Sequence, residues 1–168
     1  MTTRVLLVCH AATSATRRAA FPDDEPIERP PLPMAERVDL ALTGPGTPCR
    51  QTAADLGLKP TIEERLRECD YGRWRGHTLA ELTESEPEAV QRWRTDPTSA
   101  PHGGESTLDL LGRVANWLDE LPTIYNRIAA VTHPSVIKAA IVHAIRATPE
   151  SFWRIDIRPL SRTVLSGT

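Results

Sequence analysis

The chain contains 168 residues with a mass of 18.6 kDa, a length that predicts one domain with its own hydrophobic core. Hydrophobic residues make up 40% and charged residues 25%, proportions that exclude a disordered, collagen-like or fibrous protein. The 20 Lys and Arg residues and 22 Asp and Glu residues give a net charge of −2, which argues against a broad nucleic-acid-binding or anionic-membrane surface.

Continuous apolar runs predict the strands. Residues 5–8 and 128–132 are such runs, and this pattern is typical of strands buried on both faces of a parallel sheet. Further extended segments are predicted at residues 38–42 and 61–66, and the last strands around Ile155, Ile157 and residues 164–165. The proline-rich segment 21–33 cannot form a regular helix and is predicted to be a surface loop.

Helical patterns alternate with these strands. They predict a short helix at residues 49–56, helical structure over 78–96, and a helix from about 135 to 147. The clearest amphipathic helix follows Glu105 and Ser106. Its apolar stripe is formed by Leu108, Leu111, Val114, Ala115 and Leu118. The alternation of strands and helices predicts an α/β fold.

The sequence also bears on location and covalent structure. No apolar run approaches the roughly 20 residues that a membrane-spanning helix needs, and residues 1–8 lack the apolar core of a signal peptide. We therefore expect a cytoplasmic protein with neither membrane nor nucleic-acid partners. Three cysteines (Cys9, Cys49 and Cys69) predict neither a disulfide framework nor a structural zinc site.

Two histidines occupy equivalent places in the predicted sheet. His10 follows the run 5–8, and His133 follows the run 128–132. Ligands of α/β proteins bind beyond the carboxyl ends of the strands. We therefore expect the two imidazoles to share one pocket.

Five short segments, in chain order, resemble the histidine phosphatase superfamily, also called the phosphoglycerate mutase-like family. V-C-H-A-A-T at 8–13 is similar to the family's strand followed by R-H-G-x-T, and Q-T-A at 51–53 matches its Q-T-A. L-R-E-C-D-Y-G-R-W-R-G at 66–76 resembles L-x-E-x-D-[FY]-G-x-W-x-G. G-G-E-S at 103–106 matches the same four residues, and V-T-H-P-S-V-I at 131–137 resembles V-x-H-x-x-x-I.

The resemblance implies a single domain over residues 1–168, folded as a three-layer α/β/α sandwich with a mostly parallel sheet. Residues 77–105 are expected to include a small helical lid. The implied activity is hydrolysis of a phosphomonoester of a small metabolite, without metal or cofactor. The sequence does not predict the oligomeric state.

The resemblance also assigns roles to residues. His10 would attack phosphorus and become a phosphohistidine, and His133 would donate to the phosphoryl oxygens. Glu68 would be the general acid for the leaving alcohol, a role that requires a raised pKa. Thr13 would donate its hydroxyl to the phosphoryl oxygens or only shape a turn. Glu105 would contact substrate or cap the following helix.

This chain departs from the family pattern at the two arginines that clamp the phosphoryl group. Cys9 stands where the first arginine is expected, and Pro48 stands where the second is expected. Ala11 also replaces a glycine. Arg50 is the first candidate for the missing guanidinium, unless it is only a surface residue, and Arg17 and Arg18 are the other candidates.

Three alternatives accompany this interpretation. A degenerate, non-catalytic member would bind an anion or a partner without turnover. A mutase would hold the phosphoenzyme away from water, although the short chain leaves little room for the lid this requires. A cysteine-dependent phosphatase would use Cys9, but seven residues separate Cys9 from Arg17 where five are needed.

Overall fold

The computed structural model describes residues 2–167 and contains one five-stranded sheet. The strands are β1 (Arg4–Cys9), β2 (Leu40–Thr43), β3 (Thr61–Ile62), β4 (Arg127–Thr132) and β5 (Arg162–Ser166), and their order across the sheet is β3-β2-β4-β1-β5. The first four are mutually parallel, and β5 is antiparallel to β1. The sheet is therefore mostly parallel, as predicted.

The pairing of β1 with β4 brings the predicted site together. Cys9, the last residue of β1, is in register with Thr132, the last residue of β4. Consequently His10 and His133, which come next along the chain, leave the sheet side by side.

Six α-helices connect the strands within the described residues. They are α1 (Ser14–Arg18), α2 (Thr47–Asp55), α3 (Leu79–Ser85), α4 (Pro87–Thr95), α5 (Thr107–Asp119) and α6 (Pro134–Ala144). Ser106 caps α5 by accepting from the Asp109 amide, and Pro134 occupies the first turn of α6. Three 3-10 turns at Glu64–Leu66, Gly72–Trp74 and Pro149–Arg154 complete the main elements.

The two faces of the sheet are buried against different helices. In β1, Val5 and Leu7 belong to the core that contains α5 and α6, whereas Val8 packs with Cys49 and Ala53 of α2. This alternation is the period of two that a strand imposes on its side chains. It produces the three layers expected for the α/β/α sandwich.

Several details differ from the predicted elements. The extended segment predicted at 61–66 is a strand only at Thr61–Ile62 and continues as the 3-10 turn Glu64–Leu66. The helical pattern over 78–96 forms two helices because Pro87 lacks the amide hydrogen that continuation would require, so a new helix begins there. Leu108 of the predicted α5 stripe is 45% exposed, and the buried stripe is Leu110, Val114 and Trp117. Ile155 and Ile157 form no strand and instead pack, partly buried, against the core.

Helices α3 and α4 lie within the segment expected to form a lid, and that role stays a prediction. No helix within residues 2–167 has both the length and the apolar character that a membrane span requires.

Candidate active site

The first histidine directly follows β1. The His10 amide donates to the Thr132 carbonyl at 3.0 Å, and the residue is only 6% exposed. Its Nδ1 lies 2.7 Å from the carbonyl oxygen of Ala11. Because a carbonyl oxygen can only accept a hydrogen bond, the contact assigns the ring hydrogen to Nδ1. Nε2 consequently keeps its lone pair.

The surroundings of His10 also keep the ring uncharged. Burial lowers the pKa of His10, and the nearby His133 ring lowers it further. The hydrogen bond to Ala11 and the charge of Glu68 act in the opposite direction without reversing the shift. His10 therefore favours a neutral imidazole with one free nitrogen, the state that nucleophilic attack requires.

The loop after His10 is tied to α2 through the Q-T-A segment. The Ala11 amide donates to the Thr52 hydroxyl at 3.0 Å, and the Gln51 side-chain oxygen accepts from the Ile27 amide at 2.9 Å. Thr13 begins α1, where its hydroxyl accepts from the Thr16 amide at 3.3 Å. The first loop motif therefore has a structural function that is independent of any ligand.

The second histidine faces the first. The ring centroids of His10 and His133 lie 5.1 Å apart in an edge-to-face arrangement with an interplanar angle of 73°. His133 Nδ1 lies 3.3 Å from a carboxylate oxygen of Glu68, close enough for an ion pair although the geometry gives no hydrogen bond. Its Nε2 lies 3.4 Å from the Cys49 sulfur.

Glu68 is fixed opposite His133 by two further groups. The Ser135 hydroxyl donates to Oε1 of Glu68, and the Cys69 amide donates to the same oxygen at 2.8 Å. Ser135 lies in the first turn of α6, two residues after His133. The segment after β4 therefore supplies both a cation and a hydroxyl to this carboxylate.

The paired charges stabilise each other. Burial by itself raises the pKa of Glu68, but His133, Ser135 and the Cys69 amide together lower it to about 2. Burial likewise opposes charge on His133, yet Cys49 and Glu68 raise the pKa of this imidazole well above its ordinary value. The ligand-free site therefore contains a neutral His10 beside an imidazolium–carboxylate pair.

The glycines of two motifs bring the Glu68 loop close to the loop before α5. A Cβ on Gly72 would lie 2.1 Å from the His102 carbonyl oxygen, and one on Gly104 would lie 2.0 Å from the Asp70 carbonyl oxygen. Only glycine permits this approach of two backbones, and Gly72 also has a φ of +51°. The 66–76 and 103–106 segments therefore form one packed unit that positions Glu68.

Two cavities meet at Glu68. The first has a volume of about 290 Å³ and contacts His10, Thr13, Glu68 and Ser135. The second, of about 320 Å³, contacts His133 and Glu68. Glu68 therefore borders both cavities, and each cavity contacts one of the two imidazoles.

Residues 32–168 match the histidine phosphatase superfamily (branch 1). The chain belongs to this superfamily. A bifunctional protein of Mycobacterium tuberculosis is 32% identical over 127 residues, which cover 74% of this chain and 33% of that protein. The chain thus spans about a third of the length of that relative.

Solved structures confirm the predicted fold class of this superfamily member. A native mycobacterial glucosyl-3-phosphoglycerate phosphatase superposes with a TM-score of 0.79 at 24% identity, covering 99% of this chain and 91% of that one. The α-ribazole phosphatase of Shigella flexneri superposes with a TM-score of 0.81 at 22% identity, covering 96% and 89%. Both similarities concern the fold alone.

Two predicted substrate-binding residues lie away from the histidine pair. Arg50 is exposed on α2 and contacts neither cavity. Glu105 forms a two-fold ion pair with Arg113, with both nitrogen–oxygen distances 2.8 Å, and both side chains are about one-tenth exposed. Arg113 also donates to the Arg67 carbonyl at 3.0 Å. The Glu105–Arg113 ion pair therefore stabilises the backbone directly before Glu68.

The correspondence of Cys9 and Pro48 with the superfamily's arginines stays an interpretation of the motifs. Cys9 is 1% exposed, and burial raises the pKa of its thiol far above the ordinary value, with Cys49 and Glu68 acting in the same direction. A thiol that resists ionisation is a poor nucleophile, so the structure disfavours the cysteine-dependent alternative.

Several neighbours of the site were not identified from sequence. The cationic side chains that line the two cavities are Lys138 in the first and Arg67 and Arg75 in the second. Lys138 follows Ser135 by three residues and Pro134 by four in the predicted helix, and residues three or four apart share one helix face. Nothing in the sequence pattern indicated the contact between Cys49 and His133.

An acidic residue also borders the His133 side. The Asp24 carboxylate accepts from the Thr47 amide and the Thr47 hydroxyl, both at 2.7 Å, and so caps α2. The point where a Cβ on Gly46 would lie is 3.2 Å from an Asp24 oxygen and 3.3 Å from His133 Nε2. The second cavity therefore presents a carboxylate as well as the imidazolium.

Proposed function

We propose that this chain hydrolyses phosphomonoesters of small molecules through a phosphohistidine on His10. The observation that carries the proposal is the Nδ1 contact of His10 with the Ala11 carbonyl, which leaves Nε2 with a free electron pair beside His133. Membership of the histidine phosphatase superfamily and the names of the two superposed phosphatases support the reaction class.

In the first step, His10 Nε2 attacks phosphorus and forms a P–N bond. The bond from phosphorus to the ester oxygen breaks, and its electron pair stays on that oxygen, which takes a proton from Glu68. His133, already charged, donates to the phosphoryl oxygens and offsets their growing negative charge. The products of this step are the free alcohol and phospho-His10.

Substrate binding would prepare Glu68 for this role. In the ligand-free site Glu68 is ionised because His133 faces it. A phosphoryl group between the imidazoles competes for His133, so the stabilisation of the Glu68 carboxylate weakens. Burial and the phosphoryl charge then raise the Glu68 pKa, and the carboxyl takes up a proton.

In the second step, water attacks the phosphoryl group of phospho-His10. Glu68, now a carboxylate, accepts a proton from the water while the P–N bond breaks and its electron pair returns to Nε2. Inorganic phosphate leaves, and Glu68 releases its proton as its carboxylate pairs with His133 again. This sequence uses protein side chains and water.

Within residues 2–167, no group of three or more His, Cys, Asp and Glu side chains is arranged to hold a metal ion. Separately, the resemblance to the superfamily leads us to propose a reaction that uses the imidazoles and Glu68. Addition of a chelator is expected to leave turnover unchanged, whereas a loss of turnover that added divalent cation restores would contradict metal independence.

The test is a comparison of wild type with His10→Ala on p-nitrophenyl phosphate. Removing the nucleophile is expected to lower kcat by about a thousandfold or more. Wild type quenched during turnover of a radiolabelled ester should also retain label that is lost in acid and kept in base, as phosphohistidine requires.

His143→Ala is the matched control, because His143 lies at the far end of α6 and pairs with Asp119 at 2.7 Å. This variant is expected to keep the wild-type rate and label. A His10→Ala protein with unchanged turnover, or a wild type that releases phosphate without a labelled histidine, would overturn the phosphohistidine mechanism.

The second candidate function is binding of an anion or a partner without turnover. It is favoured by the placement of Arg50, because this predicted replacement for the clamping arginines contacts neither cavity. Losing one charged contact to a transition state costs on the order of 3 kcal/mol. Binding of vanadate or phosphate together with absent phosphate release would select this second function.

A further inference from the structure

Five aromatic side chains line the first cavity, and we call them the aromatic wall. The chain has only two Phe, two Tyr and four Trp residues, so more than half of its aromatic residues surround this one cavity. The members are Phe21, Tyr71, Trp93, Phe152 and Trp153.

The rings of the wall contact one another in an unbroken series. Ring centroids lie 4.9 Å apart for Tyr71 and Phe21, 5.3 Å for Phe21 and Trp93, and 4.4 Å for Trp93 and Trp153. Trp153 then lies 5.2 Å from Phe152. Tyr71, Trp93 and Trp153 are half-buried, so part of their surface is available to a ligand. Planar rings are favourable partners for such a surface.

Among the described residues that line this cavity, Lys138 is the one Lys or Arg. It lies on α6, half-buried, with its ammonium 5.3 Å from the centre of the Phe152 ring. Within residues 2–167 its ammonium forms no ion pair. The Phe152 ring therefore stabilises the ammonium of Lys138 by a cation–π contact. The ammonium remains free to bind the anionic group of a ligand.

The electrostatics of Lys138 agree with this geometry. Burial lowers the pKa of Lys138. The negative charges of Asp156 and Glu68 act in the opposite direction but only partly offset this shift. A partly desolvated ammonium gains more from a bound anion than an exposed one does. The first cavity therefore combines an apolar, ring-lined surface with one anion-binding group.

We propose that Lys138 determines specificity, and that the preferred leaving group is a single-ring alcohol with an anionic substituent. The phosphoryl group would lie at His10, the ring against the aromatic wall, and the substituent at the Lys138 ammonium. A cavity of about 290 Å³ is at the small end of ligand pockets, which fits one substituted ring. The proposal rests on the proposed function, because it assumes that His10 receives the phosphoryl group.

The experiment compares phenyl phosphate with 4-carboxyphenyl phosphate in wild type and Lys138→Met. Met keeps the length and apolar stem of Lys138 while removing its charge. The ratio of kcat/KM for the two esters is expected to favour the carboxylated ester by about tenfold in wild type. In Lys138→Met the ratio should fall to about one.

The other lysine of the chain provides the matched control. Lys59 is exposed and contacts neither cavity, so Lys59→Met removes the same charge elsewhere and should keep the wild-type ratio. A wild-type ratio near one would overturn the proposal. So would an equal loss on both esters in Lys138→Met, because that result would place Lys138 at the phosphoryl group.

A binding measurement separates this proposal from the proposed function. Phenylphosphonate and 4-carboxyphenylphosphonate cannot be hydrolysed, and their dissociation constants can be measured by calorimetry. If wild type hydrolyses neither ester, the proposed hydrolysis fails. A tighter binding of the carboxylated phosphonate, lost in Lys138→Met, would still support the role of Lys138, and equal binding of the two phosphonates would refute it.

Discussion

The ends of β1 and β4 are matched residue for residue, yet the histidines that follow them differ in charge. The free nitrogen of His10 depends on a backbone carbonyl, which accepts a hydrogen bond and carries no full charge. His133 instead faces the carboxylate of Glu68, which stabilises an imidazolium. Equivalent places in the sheet therefore supply one nucleophile and one cation.

Two strands that end in register are thus followed by two histidines with different charges. Both imidazoles are almost completely buried, and burial acts against charge on each of them. The partner of the Nδ1 atom differs in kind, and the Nε2 atom of His133 also lies 3.4 Å from the Cys49 sulfur. The difference in charge between His10 and His133 should therefore depend on the negative charge of Glu68.

The largest expected effect of breaking this asymmetry is on the free energy of unfolding and its dependence on pH. The Glu68 pKa of about 2 lies below its ordinary value of 4.5, so the unfolded chain binds more protons between these values. Stability from Glu68 is therefore present above pH 4.5 and is lost as the pH falls towards 2. We expect Glu68→Gln to destabilise the protein by about 3 kcal/mol at pH 6 and by much less at pH 2.5.

Urea denaturation at several pH values would measure this difference. Glu64→Gln is the control, since Glu64 is exposed on the same segment and should cost little at either pH. The assignment would be wrong if Glu68→Gln lost the same stability at pH 6 and pH 2.5. The test uses the difference between variants because other carboxyl groups also titrate in this range.

The second prediction concerns the charge of His133 directly. Glu68→Gln removes a group that raises the pKa of His133, whereas burial, which lowers it, stays in place. The pKa of His133 should therefore fall in this variant, and the ring should become neutral at a lower pH. Titration of the imidazole signals by NMR would show the shift. An unchanged His133 titration would mean that Glu68 does not maintain the imidazolium.

The strand ends could be predicted because two strong local patterns determine them. The uninterrupted apolar runs at 5–8 and 128–132 indicate buried parallel strands, and parallel strands finish at one edge of a sheet. Residues placed just beyond those runs must therefore lie close together. The motif glycines could also be recognised, although the reason for them, a close approach of two backbones, needs coordinates.

The remainder of the site depends on contacts between distant segments. Rings of the aromatic wall come from Phe21, Tyr71, Trp93 and residues 152–153, and no periodic pattern joins those positions. The predicted role of Arg50 depended on its short distance along the chain from Pro48, but α2 directs that residue to solvent. The ionised state of Glu68 likewise results from His133, which lies far away in sequence.

The smallest expected effect comes from the acidic group on the His133 side. Asp24→Asn removes a negative charge beside the imidazolium, and Asn tolerates the φ of +64° found at this position. The amide can still accept from the Thr47 amide, so the cap on α2 is partly kept. Inorganic phosphate should bind about three- to fivefold more tightly at low salt, because one repulsive charge is absent.

Calorimetric titration with phosphate at low and high ionic strength would test this effect. Salt screens the repulsion, so the gain from Asp24→Asn should shrink as ionic strength rises. Asp55→Asn removes the same charge from the opposite end of α2 and should leave phosphate affinity almost unchanged. Equal gains from both variants would indicate a general charge effect. Unchanged affinity in Asp24→Asn would instead show that phosphate binds closer to His10 than to the His133 side.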